Sequence, residues 1–287
     1  MAQTGSAEVG APAWRQWLAI GAGLLVSWSW VLTVVFLAPD ILGGETTPGI
    51  YAAFTLTLYV PLLLFALLAG WLGGTKVLRL GRAPVGWTTA GLAVGAGGLS
   101  GALVMSWLSG TVVAGSGATG LTALVLMGLG LTLVQSAMEE VLFRGWLLPV
   151  LSQRLGQVAS VCGSALLFAG FHLIGGARQP LTLVFITLAG LLFGLLALRS
   201  GGILAPIAAH AAWNGSEDGL FGLVPNPGNE LLGSIMDFDL VGNPLWGGNE
   251  EGLNASFGAV VVMIAAILPL LVGRRAAHRT APSTAPA

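Results

Sequence analysis

Few ionisable side chains fall inside the apolar stretches of this chain, and those that do are spaced as reactive groups are. They are Glu139, Glu140, Arg144, His172 and His210, with Asn214 as a strongly polar neutral companion. In Met138-Glu139-Glu140-Val141-Leu142-Phe143-Arg144, Glu140 and Arg144 are four apart, in the order that favours an ion pair on one helical face. Glu139 is turned about 100° away, so it can face a cavity while its neighbour is neutralised. Phe168 and His172 are also four apart, as are His210 and Asn214, and each pair shares one helical stripe. A carboxylate, two imidazoles and an amide are the groups that water activation and oxyanion stabilisation require. Holding a charge at the bilayer centre costs at least ~2.5–3.5 kcal/mol per residue, so function is the default explanation for such groups. The third histidine, His278, sits in a basic tail and reads as solvated.

The segments that carry these side chains are membrane spans. The 287 residues are 55% hydrophobic and only 8% charged, with a mean hydropathy of +0.87 and a net charge of -1. An ordinary soluble domain has roughly 25% charged residues. Soluble globular, disordered and nucleic-acid-binding proteins are excluded on that ground. A transmembrane helix needs about 20 apolar residues. Candidate spans run at about 17–38, 50–73, 86–108, 119–151, 157–174, 180–199, 202–217 and 254–273, an all-α polytopic bundle of eight helices. The fourth is overlong, and the seventh is short and interrupted by Pro206. Continuous apolar runs argue against a β-barrel, and the 44 glycines suit closely packed membrane helices.

The expected organisation is a disordered tail at 1–13, three spans over 14–118, a core over 119–217 that holds every polar group singled out above, a solvated external acidic loop at 218–253, a last span at 254–273 and a basic then disordered tail at 274–287. The first span reads as a retained anchor, since no small-residue cleavage site follows it at Phe36-Leu37-Ala38-Pro39-Asp40. Arg15, Lys76, Arg79, Arg82, Arg154, Arg199, Arg274, Arg275 and Arg279 all fall on one side of an eight-span layout. That side is expected to be the cytoplasm, with both termini. Arg178, Asp40, Glu45, Glu217, Asp218, Glu230, Asp237, Asp239, Glu250 and Glu251 fall on the other. Trp14, Trp17, Trp71, Trp87 and Trp107 near span ends read as interfacial belts, whereas Trp146 and Trp213 stand beside the polar groups, as packing or as cavity lining. The single cysteine, Cys162, excludes an internal disulfide and reads as a small buried hydrophobe.

Three motifs in order, each on its own apolar segment, resemble those of the CPBP intramembrane proteases, which include the type II CAAX prenyl endopeptidases and the bacterial Abi proteins. They are Glu139-Glu140-x-x-x-Arg144, Phe168-x-x-x-His172 and His210-x-x-x-Asn214. The run Phe143-Arg144-Gly145-Trp146-Leu147-Leu148-Pro149 is similar to the family's extension of its first motif. The resemblance covers about residues 119–217 together with the eight-span layout. It implies that Glu139 is the general base, polarising a water with His172, and that His210 and Asn214 bind the oxyanion. Glu140 and Arg144 are then a structural pair, and Phe168 packs beside His172. Metal dependence is left open: Glu139, His172 and His210 could supply three ligands to a zinc ion, although the His-Glu-x-x-His signature is absent. The implied partners are the lipid bilayer and a hydrophobic or lipid-associated peptide or protein, with CAAX-type C-terminal processing as one form of the activity.

For Glu139 to reach the depth of His172, the fourth span must lie at about 130–151, with 141–151 forming part of a chamber wall open to the cytoplasm. Two other functions fit intramembrane Glu, His and Arg: a proton- or ion-coupled transporter, or a non-catalytic immunity or scaffold protein. No matching pair of broken segments in two halves supports the transporter. The Ala/Gly-rich composition and the loop charges read as those of a multi-pass protein of a bacterial cell membrane.

Overall fold

A computed structural model describes residues 11–42, 47–117, 119–226 and 230–279. The expected tails at 1–10 and 280–287, and Glu45, lie outside them. The architecture is an all-α membrane bundle. Its helices are α1 (Ala13–Leu42), α2 (Pro48–Gly73), α3 (Pro84–Leu108), α4 (Ala123–Glu140), α5 (Leu148–Ile174), α6 (Pro180–Ser200), α7 (Leu204–Gly215) and α8 (Phe257–Arg279). Their limits follow local chemistry. Thr47 and Thr122 cap α2 and α4 by accepting from Ile50 and Val125 N–H. Pro48, Pro84 and Pro180 stand in the first turns of α2, α3 and α6, where a missing N–H costs nothing. Gly74 and Gly201 end α2 and α6 in the left-handed region. Pro206, expected to interrupt a span, lies in the first turn of α7 and breaks nothing.

Among the described residues, five helical segments are long and apolar enough to cross a membrane: Ala13–Ala38, Pro48–Gly73, Pro84–Leu108, Ala123–Ile174 and Pro180–Ser200. Phe257–Val272 is a shorter apolar helix, and α7 has 12 residues. The expected count of eight is therefore not confirmed. The 52-residue segment Ala123–Ile174 folds back on itself, so the expected fourth and fifth spans are its two arms. Between α4 and α5 the helix widens into a π-helical segment, Val141–Leu147, just ahead of Pro149, whose ring cannot accept an ordinary helical neighbour at Gly145. Gly156 then leaves helical geometry at φ 77 and ψ 170. Glu139 meets His172, Phe143 meets Phe168 and Ser152 meets Ser160. These pairs show the arms on either side of Gly156 running antiparallel.

Helix ends gather at two opposite poles. At one, Gln16 bonds Gly73 and Gln153, Ile203 N–H donates to Arg79 carbonyl, and Arg82 N–H donates to Ser200 carbonyl. Arg15, Lys76, Arg79, Arg82, Arg154 and Arg199 lie at that pole. At the other, the segment expected as a solvated loop is folded. Its strands β2 (Leu223–Val224) and β3 (Phe238–Leu240) join β1 (Val112–Ala114) in a sheet of order β1-β3-β2. β1 and β3 are antiparallel with Val112 opposite Leu240, and β2 and β3 are parallel. Leu223, Leu232, Leu240 and Leu253 are buried beneath this cap.

The core runs through all the long helices and is densest where the π-helical segment crosses it, with Phe143, Trp146 and Leu147 fully buried. Trp146 and Trp213 are packing residues, at 0% and 3% exposure, whereas Trp14, Trp17, Trp71 and Trp107 are exposed near helix ends. Cys162 lies on an exposed face of α5 rather than in the core; a span facing lipid has no need to turn its small apolar residues inward.

Candidate active site

α4, α5 and α7 bring their polar side chains to one place. The fold-back at Gly156 sets Glu139 level with His172. α7 reaches the same level because it lies tight against α3: a Cβ on Gly91 or Gly95 would meet Ala205 or Ala209 carbonyl at 2.3 or 2.1 Å. Glycine is what permits that approach.

Glu140 and Arg144 form the expected pair, at 2.8 Å and fully buried. The guanidinium also donates to Gly190 carbonyl at 3.0 Å and lies over the rings of Phe168, Phe193 and Phe143 at 4.5, 5.3 and 5.7 Å. Glu140 has a second partner that spacing did not reveal: its Oε1 also bonds His210 Nδ1 at 3.0 Å. Glu140 thus holds an imidazole as well as an arginine.

Both histidines are held by their Nδ1 atoms. A backbone carbonyl can only accept, so the 2.9 Å contact from His172 Nδ1 to Phe168 carbonyl places a proton on Nδ1. The Glu140 carboxylate assigns the same tautomer to His210. The two Nε2 lone pairs are left facing Glu139 Oε2, at 3.9 and 4.0 Å. These separations are too long for direct hydrogen bonds and suit a bridging water. Glu139 Oε2, Glu140 Oε2 and Ser136 Oγ are buried without a hydrogen-bond partner among the described residues. Buried carboxylate oxygens in that state call for water.

Phe168 packs its ring against His172 at 4.5 Å, and Phe193 stacks on His210 at 4.9 Å. Asn214 is half-buried one turn beyond His210; no hydrogen bond to its side chain is seen among the described residues, so its amide is unspent. All seven residues singled out from the sequence therefore belong to one region, six of them joined by contacts and Asn214 by its place on α7. The sequence did not single out Gln135, whose amide reaches Glu139 Oε1 at 3.5 Å, nor Tyr59 of α2, which lies near the Glu139 carboxylate. Gln135 could have been found, since it stands four residues before Glu139 on the same face. Tyr59 and Phe193 could not, because only tertiary packing delivers them.

A tetrahedral zinc site with ligands at about 2.0–2.1 Å holds its donors roughly 3.3–3.5 Å apart. The separations from Glu139 to the imidazoles are wider, and among the described residues no three His, Cys, Asp or Glu side chains are grouped to hold a metal ion. The donors as placed do not fit zinc.

The chamber expected over 141–151, open toward the Arg/Lys-rich pole, is not found. Val141 through Leu148 are all buried, with Trp146 against Gly23 of α1 and Gly145 against Val77. Aromatic rings and the large Arg144 side chain fill that volume. Among Glu139, His172 and His210 the most accessible is His172, whose side chain is 29% exposed.

No curated protein and no solved structure matches the chain. A family model does: residues 121–216 match the family described as Type II CAAX prenyl endopeptidase Rce1-like. That stretch holds Glu139, Glu140, Arg144, Phe168, His172, His210 and Asn214. Over residues 121–216 this multi-pass membrane chain is thus similar to the Rce1-like, type II CAAX prenyl endopeptidase family.

Proposed function

We propose that the protein is an intramembrane endopeptidase that hydrolyses a peptide bond in a hydrophobic or lipid-associated polypeptide, with a water held by Glu139 as the nucleophile. The observation that carries this reading is the unpartnered, buried Glu139 Oε2, faced by two imidazole lone pairs at 3.9 and 4.0 Å. A water there donates one proton to Glu139 and the other to an imidazole Nε2, which turns an oxygen lone pair outward. As that oxygen bonds to the carbonyl carbon, Glu139 takes the proton. The carbonyl oxygen becomes an oxyanion beside Asn214, whose amide donates to it. His210 joins Asn214 only when its Nε2 carries a proton, because its Nδ1–H is committed to Glu140. Glu139 then passes its proton to the departing nitrogen as the C–N bond breaks.

The Gln135 amide donates to Glu139 Oε1 at 3.5 Å, which leaves Oε2 for the water. Arg144, enclosed by three phenylalanines, fixes Glu140, and Glu140 fixes the His210 tautomer. The Arg/Lys-rich pole faces the cytoplasm in this reading, as the loop charges suggest. Membrane-protein fragments compared between cells making the wild-type chain and cells making Glu139→Ala test the function. Fragments present only with the wild type support it; identical fragment sets, with both proteins folded and equally abundant, refute it.

A further inference from the structure

We infer that the site is entered from the pole that carries the folded cap, opposite the Arg/Lys-rich connections. The inference rests on the hydrolase reading and names the class of its substrate.

The distances along α5 are unequal. His172 lies two residues before the end of α5 but 16 residues from Gly156, which is roughly 24 Å at 1.5 Å per residue. The long direction is packed solid with the buried π-helical segment and the start of α5. The short direction leads into the α5–α6 connection, where Gly175, Gly176, Arg178 and Gln179 are exposed. Arg178 donates to Leu173 carbonyl, the residue beside His172, and Glu251 of the cap accepts from Arg178 and Gln179 N–H. Exposed Arg178 marks this connection as reaching the aqueous interface, six residues beyond His172.

A second approach leads to the same side. α7 leaves the site toward the cap, and four residues beyond Asn214 comes Asp218, which lines a polar cavity of about 400 Å³ with Asp237, Asp239 and Ser234. Water thus approaches within about one helical turn of both His172 and Asn214, each time from the cap side. If the Arg/Lys-rich pole is cytoplasmic, the substrate is an apolar segment of an exported or membrane-anchored polypeptide presented from the outer face.

Sealed vesicles containing the full chain test this. On a Cys162→Ala background, single cysteines are placed at the site (His172→Cys), on the cap (Val241→Cys) and at the opposite pole (Arg154→Cys). A charged, membrane-impermeant methanethiosulfonate is then added to one side. We expect His172→Cys to react from the same side as Val241→Cys, and Arg154→Cys only from the other. Reaction of His172→Cys from the Arg154 side, or from neither side, overturns the inference. With Cys162→Ala vesicles and a pool of impermeant peptides, hydrolysis is expected only where the cap faces the pool. If solubilised protein hydrolyses nothing, the hydrolase reading fails, and the labelling still decides the route of entry.

Discussion

Glu139 and Glu140 are adjacent in sequence and nearly equally buried, yet opposite effects are expected when each is neutralised. Glu140 balances the charge of Arg144 and accepts from His210 Nδ1, and removing one member of a buried pair costs about 3–5 kcal/mol. Glu140→Gln is therefore expected to lower unfolding stability in micelles by about that amount. Glu139 has no cation within bonding distance among the described residues, and its Oε2 has no partner. Glu139→Gln should leave stability within about 0.5 kcal/mol of wild type, and an equal loss in both variants would contradict the assignment. Asn214→Ala should lower kcat roughly 10²–10³-fold with little change in KM, the usual cost of one oxyanion donor. Helical spacing made the Glu140–Arg144 pair and the separate direction of Glu139 legible in the sequence. It could not show Glu140 gripping His210, 70 residues away, or Phe193 stacking on that ring.

The elements place these side chains through close approach. Gly95 of α3 sits on α7 where a Cβ would fall 2.1 Å from Ala209 carbonyl, next to His210, whereas a Cβ on Gly97 would meet nothing within 4 Å. Gly95→Val should destabilise the protein by at least 1–3 kcal/mol, roughly the cost of overpacking, and should depress kcat because α7 is displaced. Gly97→Val should do neither; equal behaviour of the two variants in unfolding and turnover would remove the α3–α7 contact from the account. The abundance of glycine signalled this packing, and apolar run length signalled most helices. The break between 151 and 157 was legible too, and it falls at Gly156. The cap was hidden: it is built from strands of two and three residues, too short for an alternating pattern to announce them. The chamber over 141–151 was misplaced because its residues look the same from sequence whether they line a cavity or fill one.

At the scale of the whole molecule, charge is segregated between a cationic pole and an acidic cap, and the cap has its own pH dependence. Burial lifts the Asp218 carboxyl to about 7, against the opposing pull of the Asn226 side-chain N–H. The folded state therefore holds a proton that the unfolded chain releases near pH 4. Stability from this group is fully present below that value and is lost as pH rises through about 7. Between pH 5 and pH 8.5 the unfolding temperature of the wild type should fall more than that of Asp218→Asn; parallel curves would exclude Asp218 as the cause. Activation of a water by Glu139 inside the bundle can be followed with purified protein and a peptide mixture in ¹⁸O-enriched water. New peptide C-termini should carry one ¹⁸O atom with the wild type, and rates should be roughly 10²–10⁴-fold lower with Glu139→Gln. Turnover by Glu139→Gln within tenfold of wild type would contradict it.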